Sequence, residues 1–417
     1  MQFKGMNLCD FCFEKTPPGS VCQKCGLSHS TYRVEAGLLM PGAILAGKYV
    51  IGRLLGRGGF GATYLAYSGA RNEVVAIKEY YPAGIATRNK GEEKISIVSD
   101  SKRAVFERGA TRFLKEAKTM SRFNANKNVV SVYEFFYAND TAYYSMEYLH
   151  GIDLKEYTDR HGGRLREAEA VTIMKGICEA LVAVHSTQTL HRDISPDNIY
   201  ICTNGDVKLI DFGAAKQVVG GANRMYSVVL KQGYAPAEQY KTNGRQGVWT
   251  DLYATGASMY YAITGKPPLD AMNRVENPEL SFGGAVGISR KFISIIRKCL
   301  QPRIEDRYQS ALELLNDLNA LPVQDVDIGG ADYVKKASNG VSGGLHGEAV
   351  SFKTGLNSGG VAAGNKQGVK KVAYQNQYYR EKQQKESGNG LLIGLMIGAA
   401  VLLIALLVVL ILALGAQ

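Results

Sequence analysis

Hydrophobic and polar positions alternate with two different periods along the first 320 residues. Alternation rich in β-branched and aromatic residues predicts strands at 49–55, 62–67, 74–79, 132–138 and 142–147. A repeat of about 3.6 residues predicts helices at 103–122, 167–186, 251–264 and 310–318. Because most strands precede most helices, the pattern predicts an α+β fold with a strand-rich part before a helix-rich part.

The periodicity stops near residue 321, and residues 321–390 have the composition of a flexible linker. Eleven glycines fall between residues 329 and 368, interleaved with Ser, Asn and Lys. Residues 331–390 hold nine Lys or Arg against four Asp or Glu, so the linker contributes much of the net charge of +11. A basic tail is typical of contact with an anionic membrane surface or a nucleic acid, and simple solubility is the plainer explanation.

Residues 391–414 are 24 consecutive positions without a charged or polar side chain. A helix needs roughly 20 such residues to cross a bilayer, so we predict one transmembrane helix here. Five Lys or Arg precede it closely, and the positive-inside rule then places residues 1–390 in the cytoplasm. Gly394 and Gly398 form a G-x-x-x-G pattern that leaves a homodimer open, although glycine is common in membrane helices.

Two C-x-x-C pairs near the start, Cys9 with Cys12 and Cys22 with Cys25, have the spacing of a zinc site. Four thiolates leave no open coordination position, so the predicted zinc is structural, in a zinc ribbon at 1–30 followed by a connector at 31–46. A unit this short has too little core to fold alone, and the metal would supply the missing free energy. Disulfides conflict with the cytoplasmic placement, and a redox C-x-x-C lacks its βαβ context.

The most informative motif is His-Arg-Asp-Ile-Ser-Pro-Asp-Asn at 191–198. Asp193 and Asn198 stand five residues apart in it, and Asp211-Phe212-Gly213 follows. Phosphoryl transfer needs an aspartate beside the reacting hydroxyl, together with an amide and a second carboxylate that hold magnesium. The motif therefore indicates phosphoryl-transfer chemistry.

A glycine-rich segment, Gly56-Arg57-Gly58-Gly59-Phe60-Gly61, separates the first two predicted strands. The pattern G-x-G-x-x-G also occurs in dinucleotide-binding domains, where a helix follows it. Here a strand is predicted at 62–67, which favours a glycine-rich hairpin over the phosphates of ATP, with Phe60 at its tip.

Lys78 closes the sequence Val-Val-Ala-Ile-Lys in the predicted strand 74–79. A buried lysine is costly unless it is paired, and Glu116 on the next helix faces the same way as Phe113 and Met120. We therefore expect Glu116 to orient Lys78, and Lys78 to hold the α- and β-phosphates. An exposed helix glutamate is the alternative for Glu116.

With these motifs in this order, residues 47–320 resemble a bacterial, eukaryotic-like (Hanks-type) serine/threonine protein kinase. The resemblance implies a two-lobed kinase fold, with a β-rich N-lobe at 47–147 and a helical C-lobe at 150–320. It implies ATP and magnesium or manganese as cofactors. It also implies that Asp251 anchors the 191–198 loop and that Glu238 pairs with Arg307.

The same resemblance assigns roles to individual residues. The implied catalytic residues are Asp193, Lys78, Glu116, Asn198 and Asp211, of which Asn198 and Asp211 hold magnesium. The implied ATP-binding positions are Gly56, Gly58, Gly59, Phe60, Gly61, Lys78, Met146, Glu147 and Leu149. Met146 to Leu149 would be the hinge, which contacts adenine through backbone groups.

Ser195 departs from the family pattern. Such kinases have a lysine there that touches the γ-phosphate, and a threonine where this chain has Lys231. Because both members of the pair change together, one hypothesis is that Lys231 reaches into the site and replaces the missing charge. The alternative is that Ser195 merely slows the enzyme, and the change puts specificity for hydroxyl residues in doubt.

An insertion within residues 80–108 is a second departure, since it lengthens the path from Lys78 to Glu116. Its Gly84, Asn89 and Gly91 suggest a looped-out hairpin, which either regulates the Glu116 helix or is decoration. Arg192 precedes the catalytic aspartate, and in the family this arginine often pairs with a phosphate on the activation segment. Ser227 is the candidate autophosphorylation site.

These features predict a membrane-anchored cytoplasmic protein kinase that acts on Ser or Thr of protein substrates. The rival is a pseudokinase or scaffold that only binds partners, and the presence of every implied catalytic residue argues against it. A zinc-ribbon nucleic-acid binder ranks last, because the basic charge lies largely in the linker beside the membrane.

Overall fold

The computed structural model describes residues 8–17, 21–212, 230–241 and 243–329, in which a β-rich lobe precedes a helical lobe. The strands are β1 (Ile44–Leu45), β2 (Tyr49–Gly58), β3 (Gly61–Ser68), β4 (Glu73–Tyr80), β5 (Ala86–Thr87), β6 (Ser96–Ile97), β7 (Val132–Ala138), β8 (Thr141–Glu147), β9 (Gly151–Asp153), β10 (Ile199–Cys202) and β11 (Val207–Leu209). The helices are α1 (Arg103–Met120), α2 (Leu154–Arg160), α3 (Glu167–Ser186), α4 (Val248–Thr264), α5 (Ala271–Glu276), α6 (Arg290–Cys299) and α7 (Ala311–Asn319).

Six strands form one antiparallel sheet in the order β1-β2-β3-β4-β8-β7. Successive side chains of a strand point to opposite faces, and β4 uses both faces. Val75 and Ile77 pack on the outer face, whereas Tyr80 packs with α1 on the inner face. Lys78 shares the parity of Tyr80, so it projects from the middle of the sheet toward the helical lobe.

Helix α1 packs beneath the sheet through the face that the sequence predicts. Phe106, Phe113 and Met120 are buried, and the Phe113 ring lies 4.9 Å from that of Tyr144 on β8. The regular helix ends at Met120, two residues earlier than predicted, because the chain tightens into a 3-10 turn at Ser121–Phe123.

The helical lobe is organised around α3, which has the predicted bounds and ten buried residues. Helix α4 begins at Val248, three residues before the predicted start, because Thr250 caps it through a hydrogen bond from the Gly247 backbone N–H (3.2 Å). A three-stranded sheet has the order β11-β10-β9, in which β9 precedes α2 and β10 begins directly after the segment 191–198.

The connector at 31–46 packs against the outer face of the large sheet. Leu38, Leu39 and Leu45 are buried in one cluster with Ile51 and Tyr64. The sequence pattern did not indicate this cover, since the segment is too short and irregular to show a period. The sheet is therefore covered on both faces.

The insertion contains the predicted hairpin, formed by β5 and β6. Its Arg88 folds back onto the outer face of the sheet, where the guanidinium and the Glu79 carboxylate are both fully buried and ion-paired. Arg88 also donates to the carbonyl of Gly37 (2.9 Å), and Tyr64 donates to Glu79 (2.9 Å). The insertion is thus bonded to the connector and to the strand that carries Lys78.

Several predicted features lie outside the described residues: Gly213, Ser227, the linker from 330 to 390 and the span at 391–414. Within the ranges that the structure describes, no helix combines the length and apolar character needed to cross a bilayer. The membrane helix stays a prediction.

Candidate active site

The loop at 191–198 is anchored from below by the buried carboxylate of Asp251, as the family resemblance implied. Asp251 accepts hydrogen bonds from the backbone N–H groups of His191 (2.9 Å) and Arg192 (2.7 Å), and lies 2.8 Å from Nε2 of His185. Burial would raise the pKa of Asp251, but these bonds and the nearby histidines hold it below its usual range. An ionised carboxylate therefore fixes the loop, which includes the left-handed residue Arg192 (φ 67°).

Asp193 and Asn198 hold each other in place within that loop. The amide nitrogen of Asn198 lies 2.5 Å from Oδ2 of Asp193 and 2.7 Å from its backbone carbonyl. Since Nδ2 is engaged in this way, Oδ1 is the atom that Asn198 would offer to a cation. An amide oxygen suits magnesium, so Asn198 fits the role predicted for it, and the carboxylate of Asp193 fits that of the predicted base.

Lys78 and Asp211, which are 133 residues apart in sequence, form an ion pair with Nζ 2.5 Å from Oδ1. Burial alone would lower the pKa of Lys78, but the charges around it, Asp211 foremost, raise the pKa above its ordinary value. Lys78 is therefore positively charged. Asp211 has a left-handed backbone (φ 56°), which turns its side chain into the site.

Glu116 lies on the buried face of α1, with 4% of its surface exposed. Its negative charge contributes to the raised pKa of Lys78, after Asp211 and Tyr144. The sequence predicted Glu116 as the partner that orients Lys78. The structure gives Lys78 a hydrogen-bonded ion pair with Asp211, and the charge of Glu116 also acts on Lys78, so the orienting role of Glu116 stays a prediction.

The glycine-rich segment is the turn between β2 and β3. Gly58 pairs with Gly61, so Gly59 and Phe60 form the tip, and a strand follows rather than a helix. A Cβ atom at Gly61 would lie 2.1 Å from the carbonyl of Glu79, which explains why glycine is needed there. A Cβ at Gly56, Gly58 or Gly59 would meet nothing within 4 Å, which fits a space for phosphates.

The predicted hinge lies where the chain leaves β8 for the helical lobe. The Glu147 carboxylate accepts hydrogen bonds from the backbone of Ser131 (2.8 Å) and from Lys208 on β11 (2.8 Å), which fixes the crossing. Met146 and Leu149 are half-buried against the core. The hinge residues lie at the junction of the lobes, and their contact with adenine stays a prediction.

Lys231 and Ser195 are brought together. The Lys231 ammonium donates to the Ser195 hydroxyl (2.6 Å) and pairs with the Asp197 carboxylate (3.0 Å). Ser195 is completely buried, whereas Lys231 is partly exposed. Position 195 thus faces a positive charge supplied from a segment 36 residues further along the chain.

The segment after Lys231 is fixed by the pair that the resemblance implied. Arg307 is buried and donates to Glu238 through both terminal nitrogens (2.8 and 3.3 Å). Thr250 on α4 adds a hydrogen bond to the same carboxylate (3.0 Å). Removing one partner of such a buried pair typically costs about 3–5 kcal/mol, so the pair is a strong structural constraint.

Comparison with known proteins now decides the family. The profile of the protein kinase domain matches residues 49–318. The chain belongs to the protein kinase family. That membership confirms the two-lobed kinase fold, and the family implies ATP and magnesium or manganese.

Among curated relatives of this kinase domain, serine/threonine-protein kinase F of Synechocystis sp. is 31% identical over 66% of this chain and 56% of that protein. Serine/threonine-protein kinase PrkC of Bacillus subtilis is 31% identical over 57% of this chain and 33% of that protein. The chain spans about half the length of the first curated relatives it matches.

Two solved structures resemble the kinase domain. The structure titled PpkA-294 apo form is 30% identical, has a TM-score of 0.61, and covers 69% of this chain and 99% of its own. The Mycobacterium tuberculosis PknI kinase domain is 21% identical with a TM-score of 0.52, and at that identity it supports the fold alone.

The four cysteines ahead of the kinase domain converge on one point. Their sulfur atoms all lie within 4.8 Å of one another, with Cys9 to Cys25 at 3.7 Å and Cys12 to Cys22 at 3.6 Å. All four are free thiols rather than disulfides. Sulfur atoms bound tetrahedrally at about 2.3 Å from zinc would be about 3.8 Å apart, so the donor set fits that metal.

Two residues near the site were missed from the sequence. Nothing in the sequence marks Asp197 as the partner of Lys231, apart from its position in the 191–198 loop. Tyr144 lies opposite Lys78 on β8, with its ring centre 5.8 Å from the ammonium. Its hydroxyl is buried and has no hydrogen-bond partner among the described residues. Only the strand pairing, which fixes cross-strand neighbours, reveals its position.

Proposed function

We propose that the protein transfers the γ-phosphoryl group of ATP to Ser or Thr hydroxyls of other proteins. The observation that carries this proposal is that Lys78 meets Asp211, while Asp193 and Asn198 are bonded to each other in a loop that is tied to Ile210, the residue before Asp211. The names of the curated relatives, which are serine/threonine-protein kinases, support the same reaction.

Each of these residues has its own role in the proposed reaction. Asp193 accepts the proton of the substrate hydroxyl as its oxygen attacks the γ-phosphorus and the bond to the β-phosphate oxygen breaks. Lys78 holds the α- and β-phosphates, and the open backbone of Gly56, Gly58 and Gly59 surrounds them. Asn198 and Asp211 would hold magnesium, which neutralises phosphate charge when bound. Asp211, which pairs with Lys78 in this structure, would then share its carboxylate between the ammonium and the cation.

The reaction is tested by incubating the purified full chain with labelled ATP, magnesium and a general protein substrate. We expect label on phosphoserine and phosphothreonine, and none on phosphotyrosine, after acid hydrolysis. The Lys78→Met variant sets the background, because it removes the phosphate-holding charge. Tight ATP binding with no transfer above that background would instead favour a scaffold.

We also propose that the kinase phosphorylates itself and that Ser227 receives the phosphate. The support is the position of Arg192 beside Asp193, where an arginine commonly pairs with a phosphate on this segment. Phosphopeptide mapping of the active protein decides the matter, since an unmodified residue 227 removes Ser227 as the site.

The kinase is proposed to be tethered to a membrane by residues 391–414, with its domain on the cytoplasmic side. The apolar run and the basic residues before it support this arrangement. A tether raises the effective concentration of targets near the membrane, and Gly394 and Gly398 offer a face for a dimer. Extraction from cell membranes by alkaline carbonate, rather than by detergent alone, would contradict the span.

Zinc is the proposed ligand of Cys9, Cys12, Cys22 and Cys25. Burial would raise the pKa of Cys22, but hydrogen bonds, that from Thr16 above all (3.2 Å), lower it to about 6. A thiolate near neutral pH is the form that binds zinc. We expect one zinc per chain by elemental analysis and loss of that zinc in Cys22→Ser, whereas Cys299→Ser, in a buried cysteine of the helical lobe, should retain it. Metal-free wild-type protein would contradict the proposal.

A further inference from the structure

The cysteine module, residues 8–17 and 21–32, is docked on the strand that leads into the glycine-rich turn. Strand β2 has irregular pairing with β3 between Ile51 and Leu54 and again between Leu54 and Gly56. Such bulges leave backbone groups without ladder partners, and those groups need another acceptor. The cysteine module supplies acceptors at this place.

Two backbone donors of the bulge are accepted by the module. The N–H of Arg53 donates to the carbonyl of Phe11 (3.0 Å), and the N–H of Leu54 donates to the hydroxyl of Tyr32 (3.0 Å). The Phe11 carbonyl follows Cys9 by two residues and precedes Cys12 by one. The position of this acceptor therefore depends on the folded cysteine cluster.

Gly52 makes the close approach possible. A Cβ atom at this position would lie 2.8 Å from the Phe11 carbonyl oxygen and 2.9 Å from the Phe13 ring. Phe13 itself is buried against Val50 and Leu65 of the sheet. The missing side chain at position 52 therefore lets the cysteine module approach the strand closely.

A further contact reaches the glycine-rich turn itself. Glu35, just beyond the module, pairs with Arg57 (3.1 Å), which lies between Gly56 and Gly58. Both residues are partly exposed, so this pair contributes little energy alone. It nevertheless extends the contact from the bulge to the turn that faces the phosphates.

We propose that the cysteine module positions the glycine-rich turn by bonding the bulge of β2, so that loss of the bound metal weakens ATP binding. Without the module, the two donors turn to water and β2 is free to change its register against β3. The turn then loses the position that fits the phosphates. This inference rests on the proposed function only in taking ATP as the ligand.

The first test measures hydrogen exchange of the Arg53 and Leu54 amides in the full chain, with and without a zinc-selective chelator. We expect removal of the metal to speed their exchange by about tenfold or more, while the amides of α3 stay protected. The dissociation constant for magnesium-ATP, measured by calorimetry, should rise about three- to tenfold. Wild-type amides that exchange as fast with zinc as without it would overturn the proposal.

Two variants weaken the docking of the cysteine module but replace neither a cysteine nor a residue of the candidate active site. Tyr32→Phe removes only the oxygen that accepts from Leu54, and Gly52→Ala inserts a methyl group against Phe11. Both should retain zinc, exchange faster at Leu54 and bind ATP about threefold more weakly or worse. Their matched controls, Tyr137→Phe on β7 and Gly283→Ala, alter exposed positions and should behave as wild type.

These outcomes separate the inference from the proposed activity. Because ATP binding is measured directly, the inference can fail in a protein that transfers phosphate normally, and it can hold in one that does not. Faster exchange with unchanged or tighter ATP binding overturns it, since docking would then not support the turn. Exchange equal to wild type in Tyr32→Phe also overturns it, since the hydroxyl would then not be the acceptor.

Discussion

Replacement of Asp193 by asparagine should lower the rate of phosphoryl transfer about 100- to 10,000-fold. The asparagine side chain has the same size and still offers an oxygen to the amide of Asn198, which lies 2.5 Å from the native carboxylate. It cannot accept a proton at neutral pH, so the variant removes the base while it keeps the loop. Initial rates at saturating magnesium-ATP measure the effect.

Two further measurements assign the rate loss of Asp193→Asn to the missing base. The ATP dissociation constant of Asp193→Asn should stay within about twofold of wild type, because the proposed role of Asp193 is to accept a proton from the substrate hydroxyl and not to hold the nucleotide. Asp159→Ala, in an exposed aspartate of α2, should transfer phosphate at the wild-type rate. Nearly normal transfer by Asp193→Asn would show that the predicted base is not used.

Replacement of Lys231 by alanine should lower the transfer rate about 100- to 1,000-fold, the usual effect of losing one group that stabilises transition-state charge. The structure holds this ammonium on Ser195, two residues after Asp193, where it can face the γ-phosphate. The loss should appear in kcat more than in the KM for ATP, because charge on the transferred group is greatest in the transition state.

A double substitution that moves the positive charge from position 231 to position 195 gives a second test of the role of Lys231. In Ser195→Lys combined with Lys231→Thr, the positive charge enters from the catalytic loop instead, and transfer should recover at least tenfold relative to Lys231→Ala, which is about 1.4 kcal/mol or more of activation free energy. Lys241→Ala, in an exposed lysine ten residues away, is the matched control. If Lys231→Ala is as fast as wild type while Asp193→Asn is inactive, Lys231 has no part in the chemistry.

Much of the fold could be predicted from the sequence because its long elements carry a clear hydrophobic period. Helix α3 has the predicted bounds, strands β3 and β4 are one residue longer than predicted at each end, and β8 begins one residue earlier than predicted. Element ends were missed where capping decides them, as at Thr250 of α4. The cover over the outer face of the sheet was missed because Leu38, Leu39 and Arg88 lie in segments without a period.

The contacts of the candidate site were likewise only partly predictable from the sequence. Asp193 and Asn198 were predictable as a pair because only four residues separate them, and the chain between them forms a short turn. Glu116 was predicted as a partner of Lys78 because it lies on the next helix, whereas the ion pair of Lys78 with Asp211 was not predicted. A carboxylate 133 residues away cannot be ranked against one on the next helix without the packing of the two lobes.

The sequence by itself indicated the kinase family, the four-cysteine cluster and the residues proposed for catalysis, because each is encoded in short motifs whose spacing has a direct chemical meaning. Only the tertiary structure decided that Lys231 meets Ser195, that Arg88 pairs with Glu79 on the outer face of the sheet, and that the cysteine module bonds the bulge before the glycine-rich turn. These contacts join segments far apart in the chain. Their geometry depends on sheet register and lobe packing, which no local pattern of residues specifies.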